Sequence, residues 1–590
     1  MPLYPTLKES YTYQQVTEIF QGYNRNLKIE DGEFYDMENL TSSYYPLLAN
    51  RGKRGIVSTL EKPNGLLAKS KLAYVDGSRL IYDGEDITSY LTEAGCTIAD
   101  SEKQLVSMGA YIVIFPDKLY INTENYTDCG SIDAEFSTAE AVSYSLCKAD
   151  GTAYAEPTLR ASAPESPNNG DLWIDTSGAT HVLKQYSSQT ALWTDILTVY
   201  TKISSPGIGK NFLQYDGVNL SGCAVDDEEV KAQIEALNGS KLIYDRGDDY
   251  IVVVGLLDKT CTQQGGISVA RAMPDMDFIV EAQNRLWGCK YGIVNGVTLN
   301  EIYCCALGDF KNWKQYMGIS TDSWTASVGT DGPWTGAVTL LGYPIFFKEN
   351  VMHKVYISST GAHRIVDMAC RGVQKGSHKS LVVVNETLFY KGVTDICAYD
   401  GSLPETVSPQ LGTERYSDAT AGCIGDKYYV SMKDKNGEYC IFVLDTAKNF
   451  WHKEDKVHAL FWARCNGDLF FIDEKSRQLL CVNGSMGEAE GDVKWIAISG
   501  LMGYETVEQK YISRFNLRMK LPVGSRADVF IQYDSDGNWH HAGHMEGIGT
   551  KTFMLPVRPR RCDHFQLMIK GCNEARIYSF AKVHETGSDG

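Results

Sequence analysis

An all-β fold is what this sequence predicts, and three observations predict it. Short apolar segments joined by tight polar turns recur along the chain, and from Ala337 onward their starts fall about every 40 residues, the spacing of a four-stranded propeller blade. The turns are Asp-Gly, Asn-Gly and Gly-Asp pairs, which supply the positive φ that a two-residue hairpin demands. Tyr (35) and Gly (54) are abundant and Pro (17) is scarce, a composition of pleated, half-buried surfaces and tight turns. Together they predict a β-propeller of about seven blades, within a range of six to eight. An inserted β/helix module and a C-terminal antiparallel β-sandwich complete the expected fold.

The elements follow in order. Residues 1–60 read as an extension leading into the propeller. Residues 61–125 hold its first blades, in "LAYVDGSRLIYDG" (72–84) and in "QLVSMGAYIVIFPDKLYINT" from Gln104. The repeat breaks over 126–249, the expected insert. There "ASAPESPNNGDLWIDTSG", from Ala161, is a linker running into a strand, and "VLKQYSSQTALWTDILTVYTKI", from Val182, reads as two more. The insert's one helix is expected over 226–239, with Asp226 as N-cap, acids in the first turn, Gly239 as stop and a Val230–Ile234–Leu237 stripe. The remaining blades fill 250–495, with units starting at Asp277, Ala337, Ser380, Thr420 and Ala459. Residues 496–590 read as five or six antiparallel strands, the sandwich.

At 590 residues the chain is too long for one ordinary core, although repeat architectures grow without thickening theirs. A net charge of −18 argues against a general nucleic-acid binder, which needs a basic footprint. "MPLYPTLKES" lacks the charged and apolar regions of a secretory signal, so none is expected. The longest apolar run, about eight residues from Tyr250, is far short of the roughly 18–20 that span a bilayer. Sixteen cysteines lie scattered without a CxxC pair, which reads as reduced, buried small hydrophobes made in a cytoplasm.

Several clusters invite a chemical reading. "WHHAGHMEG" holds His540, His541 and His544, but Gly543 and the preceding turn make it a strand, on which His540 and His541 face opposite ways; no metal site is expected. "DSDGN" (534–538) opens like a calcium loop, yet its twelfth position is Met545 where glutamate is required. Cys304 and Cys305 cannot share one strand face, and no histidine lies near them in sequence to activate a thiol. No carboxylate pair stands out among 74 acids, and neither a GxxxxGK[ST] loop nor a GxSxG elbow occurs. Trp324 and Trp334, in "STDSWTASVGTDGPWTG", are the candidate glycan-contact aromatics, with anchoring of a surface loop as the favoured alternative.

"PVRPRRCDHFQLMIKG" (556–571) crowds Arg558, Arg560, Arg561, Cys562, Asp563 and His564 together. Alternation sorts it into a proline-led basic turn and a strand with a Phe565–Leu567–Ile569 face, with Asp563 placed to pair with Arg560 or Arg561. The three arginines are the candidate partner-docking residues.

This C-terminal pattern, from "KYISRFNLRMKL" through "RPRRCDHFQLMIKG" to "ARIYSFAKVHETGSDG", resembles the ends of phage and prophage virion proteins from Gram-positive hosts. "FYDMENLTSSYYPLLANRGKRG" (34–55) resembles the opening of the same group. The segments from Asn284 to Trp313 and from Phe346 to Gly401 are similar to blades of tail-hub or packaged-DNA stabilisation (tail connector) proteins of short-tailed phages. "GDLWIDTSG…LKQYSSQTALWTDI" resembles small β modules of phage tail proteins. The resemblance implies a non-enzymatic virion component in the tail hub or connector, made in the bacterial cytoplasm. It would assemble as a homo-oligomeric ring beside other tail or connector proteins, without a cofactor, with DNA only as passing cargo and no membrane span. Two alternatives stay open: a tail-tip propeller that recognises host surface glycan, and a glycan-active enzyme on a propeller.

Overall fold

In the computed structural model, residues 12–505, 507, 509–547, 549–557 and 560–586 are described. The fold is all-β and made of many small sheets. Seven antiparallel sheets are built from strands adjacent in sequence. The first runs Pro63–Ala68, Leu72–Asp76, Arg79–Tyr82 and Glu85–Asp86; the second runs Gln104–Met108, Tyr111–Phe115, Leu119–Asn122 and Cys129–Ser131. The third, fourth and fifth open with Phe278–Glu281, Gly336–Leu340 and Val382–Val384. The sixth runs Ser417–Ile424, Lys427–Lys433, Tyr439–Asp445 and Phe450–Lys453. The seventh has Ala459–Cys465, Asp468–Asp473 and Gln478–Cys481, then takes the N-terminal strand Gly55–Thr59 as its fourth. All seven units read from the sequence fall on these sheets.

The sheets follow one another around a circle. Each first strand lies against the next, with the turn His378–Ser380 bridging fourth to fifth, and Ala459–Cys465 of the seventh packs on Pro63–Ala68 of the first. Apolar clusters fill the gaps: Ile112 and Ile121 against Val75 and Leu80, Phe346 against Trp287, and Phe347 against Tyr390. Fully burying each such side chain contributes about 1.5–3 kcal/mol, so the circle is held chiefly by its inter-sheet contacts.

The sixth sheet does not end at its own fourth strand. Trp451 pairs with Tyr23, and Gly22–Tyr23 pairs with Glu33–Glu38. The order then continues through Lys494–Ser499, Phe565–Cys572, Arg526–Tyr533 and His540–Glu546, making one ten-stranded sheet. Gly22 is needed at the seam: its φ is +85° and a Cβ would lie 2.2 Å from the Trp451 carbonyl oxygen. A second sheet contains Leu48–Asn50, Arg576–Thr586, Lys510–Leu521 and Gly549–Leu555. Its Ile512, Phe515 and Leu517 share a core with Val529, Ile531, Leu567 and Ile569 of the first. The C-terminal strands are thus built jointly with N-terminal ones.

The basic turn after "YPLL" ties the N-terminal segment to the loops that follow the sixth and seventh sheets. Arg54, 2% exposed, donates to Glu454 at 2.6 Å and to Asp455 at 2.8 Å. Arg51 reaches Asp455 at 3.3 Å and also pairs with Glu490. Burial alone would lower Arg54's affinity for its proton, but the two carboxylates outweigh it and hold the guanidinium charged.

The insert differs from expectation in extent. Its three sheets span 134–271, because Tyr250–Val254, Cys261–Gln264 and Ser268–Arg271 pair with strands of the insert and not with the seven sheets. The stretch from Val182 yields three strands where two are expected: Val182–Ser187, Leu192–Asp195 and Tyr200–Ser204. The helix expected over 226–239 is also shorter, Lys231–Glu235, with Val230 and not Asp226 at its N-cap. Asp227 accepts the Glu229 N–H at 3.1 Å and pairs with Lys259 at 2.8 Å, holding the lead-in as a turn. The stripe is as read: Val230, Ile234 and Leu237 are buried.

Candidate functional site

The circle of seven first strands encloses a cavity of about 390 Å³. Every sheet contributes to its wall: Leu66, Gln104, Phe278, Ala337, Val382, Gly422 and Phe461 come from the first through the seventh in turn. The wall also carries Glu102, Lys103, His378, Lys379, Trp462 and Arg464.

The turn His378–Ser380 presents the central cation, and four hydrogen bonds fix it. Ser380 Oγ donates to the Ser377 carbonyl at 2.6 Å and accepts the Lys391 N–H at 2.9 Å. Ser377 Oγ accepts the Ala419 N–H at 3.0 Å, and Tyr428 Oη donates to the Ser380 carbonyl at 2.9 Å. Lys379 Nζ lies 2.9 Å from Glu102 and 4.0 Å over the Phe461 ring. Burial pulls the Lys379 pKa down and Glu102 pulls it back up, with burial prevailing. Burial, helped by Lys379, lowers the His378 pKa to about 4, so the imidazole is neutral near pH 7. Its ring tilts against Phe278 at 5.1 Å.

The neighbouring Lys103 is otherwise engaged. Its Nζ sits 2.9 Å from Asp117 and 2.7 Å from Ser101 Oγ, with its side chain fully buried. Gln104 ties the second sheet to the third through Asp277 and Ile279. Trp462 Nε1 donates to Thr420 Oγ1 at 3.1 Å. The Arg464 side chain is exposed and has no ion pair or hydrogen bond among the described residues. The cavity therefore offers one cation without an ion pair, a Lys379–Glu102 pair, a neutral imidazole and three aromatic side chains.

The residues singled out from sequence lie elsewhere. Trp334 is buried against Phe346 and His353, and Trp324 packs edge-on to Trp287 and His363. Both belong to the core between the third and fourth sheets and do not form an exposed glycan platform. Arg560 stands 3.3 Å from Asp536 and over the Tyr533 ring, while Asp563 pairs with His564 at 3.0 Å and not with Arg560. Arg561 is exposed, and Arg558 lies outside the described residues. His540, His541 and Arg560 line a cavity of about 360 Å³ beside Tyr533.

The histidine stretch departs from simple alternation. The register shifts between Val529 and Phe530, which places Ala542 in a bulge. His541 and His544 consequently share a face, and both reach Asp528 Oδ1, at 3.2 and 2.7 Å. No group of three or more metal-ligating side chains is arranged to hold an ion among the described residues. Cys304 and Cys305 are buried in different clusters, and burial raises both thiol pKa values. All sixteen cysteines are free. No helix among the described residues is long and apolar enough to cross a membrane.

The cavity residues escaped sequence reading because they come in short, widely separated runs from different sheets and turns. Only the regular recurrence of first strands marked where they would converge.

No family model matches the chain, and no curated protein does. Solved structures similar to it include an acylaminoacyl peptidase of Pyrococcus horikoshii, at 8% identity and TM-score 0.24, over 52% of this chain and 48% of that one. The chain thus spans about half the length of that peptidase. A glycoside hydrolase matches at 9% identity and TM-score 0.19, over 51% of this chain and 96% of that one. An exo-β-1,3-galactanase of Phanerochaete chrysosporium matches at 6% identity and TM-score 0.18, over 76% and 100%. These neighbours are enzymes, and that finding corrects the expectation that the chain is not one. Likeness this low assigns no activity, substrate or site.

Proposed function

We propose that the chain is a structural component of a bacteriophage virion, in the tail hub or connector, where copies assemble as a ring and help to form or close the DNA exit path. In this reading the seven sheets are the blades of a propeller, and the two C-terminal sheets form a β-sandwich that carries neighbour contacts. One observation supports it above others: the stretches that resemble virion proteins, near the two ends of the chain, are a single body. Glu33–Glu38 pairs with Lys494–Ser499, Leu48–Asn50 with Arg576–Thr586, and the basic turn is clamped by Glu454, Asp455 and Glu490. The ten-stranded sheet makes that body continuous with the circle of seven sheets, which suits a part that passes load between neighbours. The test is to purify particles from an induced lysogen and quantify the chain by mass spectrometry. Co-purification in constant ratio to tail proteins is expected; absence from particles overturns the reading.

The axial cavity supports a second reading, recognition or turnover of a host surface glycan. Aromatic side chains with a few convergent polar groups are the usual lining of small-molecule sites. Glycoside hydrolysis in most families uses two carboxyl groups, about 5–5.5 Å or 6.5–9.5 Å apart. The cavity wall supplies Glu102 alone, so its geometry favours holding a sugar over two-carboxylate cleavage. Binding to purified host cell walls is expected, and any turnover should be lost in Glu102→Gln. Absence of both binding and turnover contradicts this reading.

A further inference from the structure

We propose that the axial cavity binds an acidic sugar, a pyranose bearing a carboxylate, with Lys379 and Arg464 as its cationic contacts. The inference rests on the second reading and deepens it by naming the ligand class.

The chain as a whole is acidic, at −18, yet this cavity is not. Lys379 pairs with Glu102, Arg464 lines the same cavity without a carboxylate partner, and Lys103 is neutralised by Asp117. The Arg464 side chain makes no ion pair or hydrogen bond among the described residues, so its planar fork is available to a carboxylate, which it matches in a bidentate manner. Lys379 is held in place by the pinned turn beneath it and by the Phe461 ring. The side chain of its partner Glu102 is 56% exposed and lies in the loop before the second sheet, so it swings aside at little cost. Glu102 thus occupies the position that a ligand carboxylate would take.

The rest of the cavity suits a sugar ring. Phe278, Phe461 and Trp462 provide apolar faces for pyranose C–H groups. His378 is neutral and has no side-chain hydrogen bond among the described residues, leaving it able to bond a ring hydroxyl. The volume, about 390 Å³, falls within the ~300–1,000 Å³ of small-molecule sites.

The probe is digalacturonic acid, with the neutral disaccharide galactobiose and a tri-aspartate peptide as comparators. Binding to the full chain is read by calorimetry and by intrinsic tryptophan fluorescence. The uronate is expected to bind at least tenfold tighter than the neutral sugar, with affinity falling as salt rises. Arg464→Gln and Lys379→Met should each weaken uronate binding at least tenfold. Glu102→Gln should strengthen it several-fold, a gain that damage to the fold would not produce. Equal binding of the two sugars overturns the proposal and leaves the glycan reading standing. Binding of neither sugar overturns both. Binding of the peptide but not the uronate assigns the cavity to an acidic protein segment and overturns the proposal. An unchanged affinity in Arg464→Gln, with thermal unfolding like the parent, overturns it as well.

Discussion

Arg54→Met removes the cation that holds the chain's N-terminal strand against the seventh sheet. Arg54 is 2% and Glu454 4% exposed, so the substitution leaves a buried carboxylate without its nearest partner. Breaking a buried pair in this way costs about 3–5 kcal/mol. Arg51 remains 3.3 Å from Asp455 and 3.9 Å from Glu454, which places the expected loss near the lower figure, about 3 kcal/mol. At about 1.4 kcal/mol per factor of ten, opening of the strand Gly55–Thr59 becomes roughly a hundredfold more frequent. The assay is amide hydrogen exchange. Protection of Gly55–Thr59 and of its partner Gln478–Cys481 should fall by that factor, while Tyr343–Lys348 in the fourth sheet keeps its protection. The deficit should also shrink in acid. Burial pushes the Asp455 carboxyl up, but Arg54 and Arg51 outweigh it and hold the pKa below the usual range. In the parent, the stability from this depressed pKa is present above the unfolded carboxylate pKa, near 4, and is lost as pH falls through the lower folded value. In the variant that depression is weakened, so parent and variant converge as pH falls below about 4. Unchanged protection of Gly55–Thr59, or an equal loss in all seven sheets, refutes the reasoning.

Three further outcomes are expected. Hydrogen bonds from the His544 ring to Asp528 and then Glu546 raise its pKa, so its stabilisation is present below the unfolded value near 6.5 and is lost as pH rises through the folded one; an NMR titration should show the raised pKa, and Asp528→Asn should return it toward 6.5. Cys289, Cys304 and Cys305 should resist iodoacetamide at pH 8 until denaturant is added, since burial raises their pKa values, that of Cys304 to about 12; labelling at the rate of a free thiol contradicts this. Gly571→Ala puts a methyl 2.1 Å from the buried Trp495 ring and should destabilise the ten-stranded sheet by about 1–3 kcal/mol, visible as lost hydrogen-exchange protection in Phe565–Cys572; unaltered protection contradicts it.

What the sequence revealed follows the range of the forces involved. The seven sheets were readable because hairpins are local: Asp-Gly and Asn-Gly turns set strand direction, and neighbouring strands pair within a few tens of residues. The alternation of Phe565, Leu567 and Ile569 was readable for the same reason, although Met568 on the opposite face is buried too. Closure of the circle was not readable, since Gly55–Thr59 pairs with Gln478–Cys481 from the far end of the chain. The helix shortened because Asp227 is taken up by a local turn and by Lys259. The shared face of His541 and His544 depends on a one-residue bulge, which strict alternation cannot anticipate. Lys379 and Glu102, far apart in sequence, meet only in the folded circle, where Arg464 lines the same cavity.

The most direct test of the proposed role is cryo-electron microscopy of virions carrying a labelled copy of this chain. The account predicts density for a ring of copies in the tail, at the head–tail connector or the hub. Particles that contain the chain only as scattered single copies, or that lack it, contradict it.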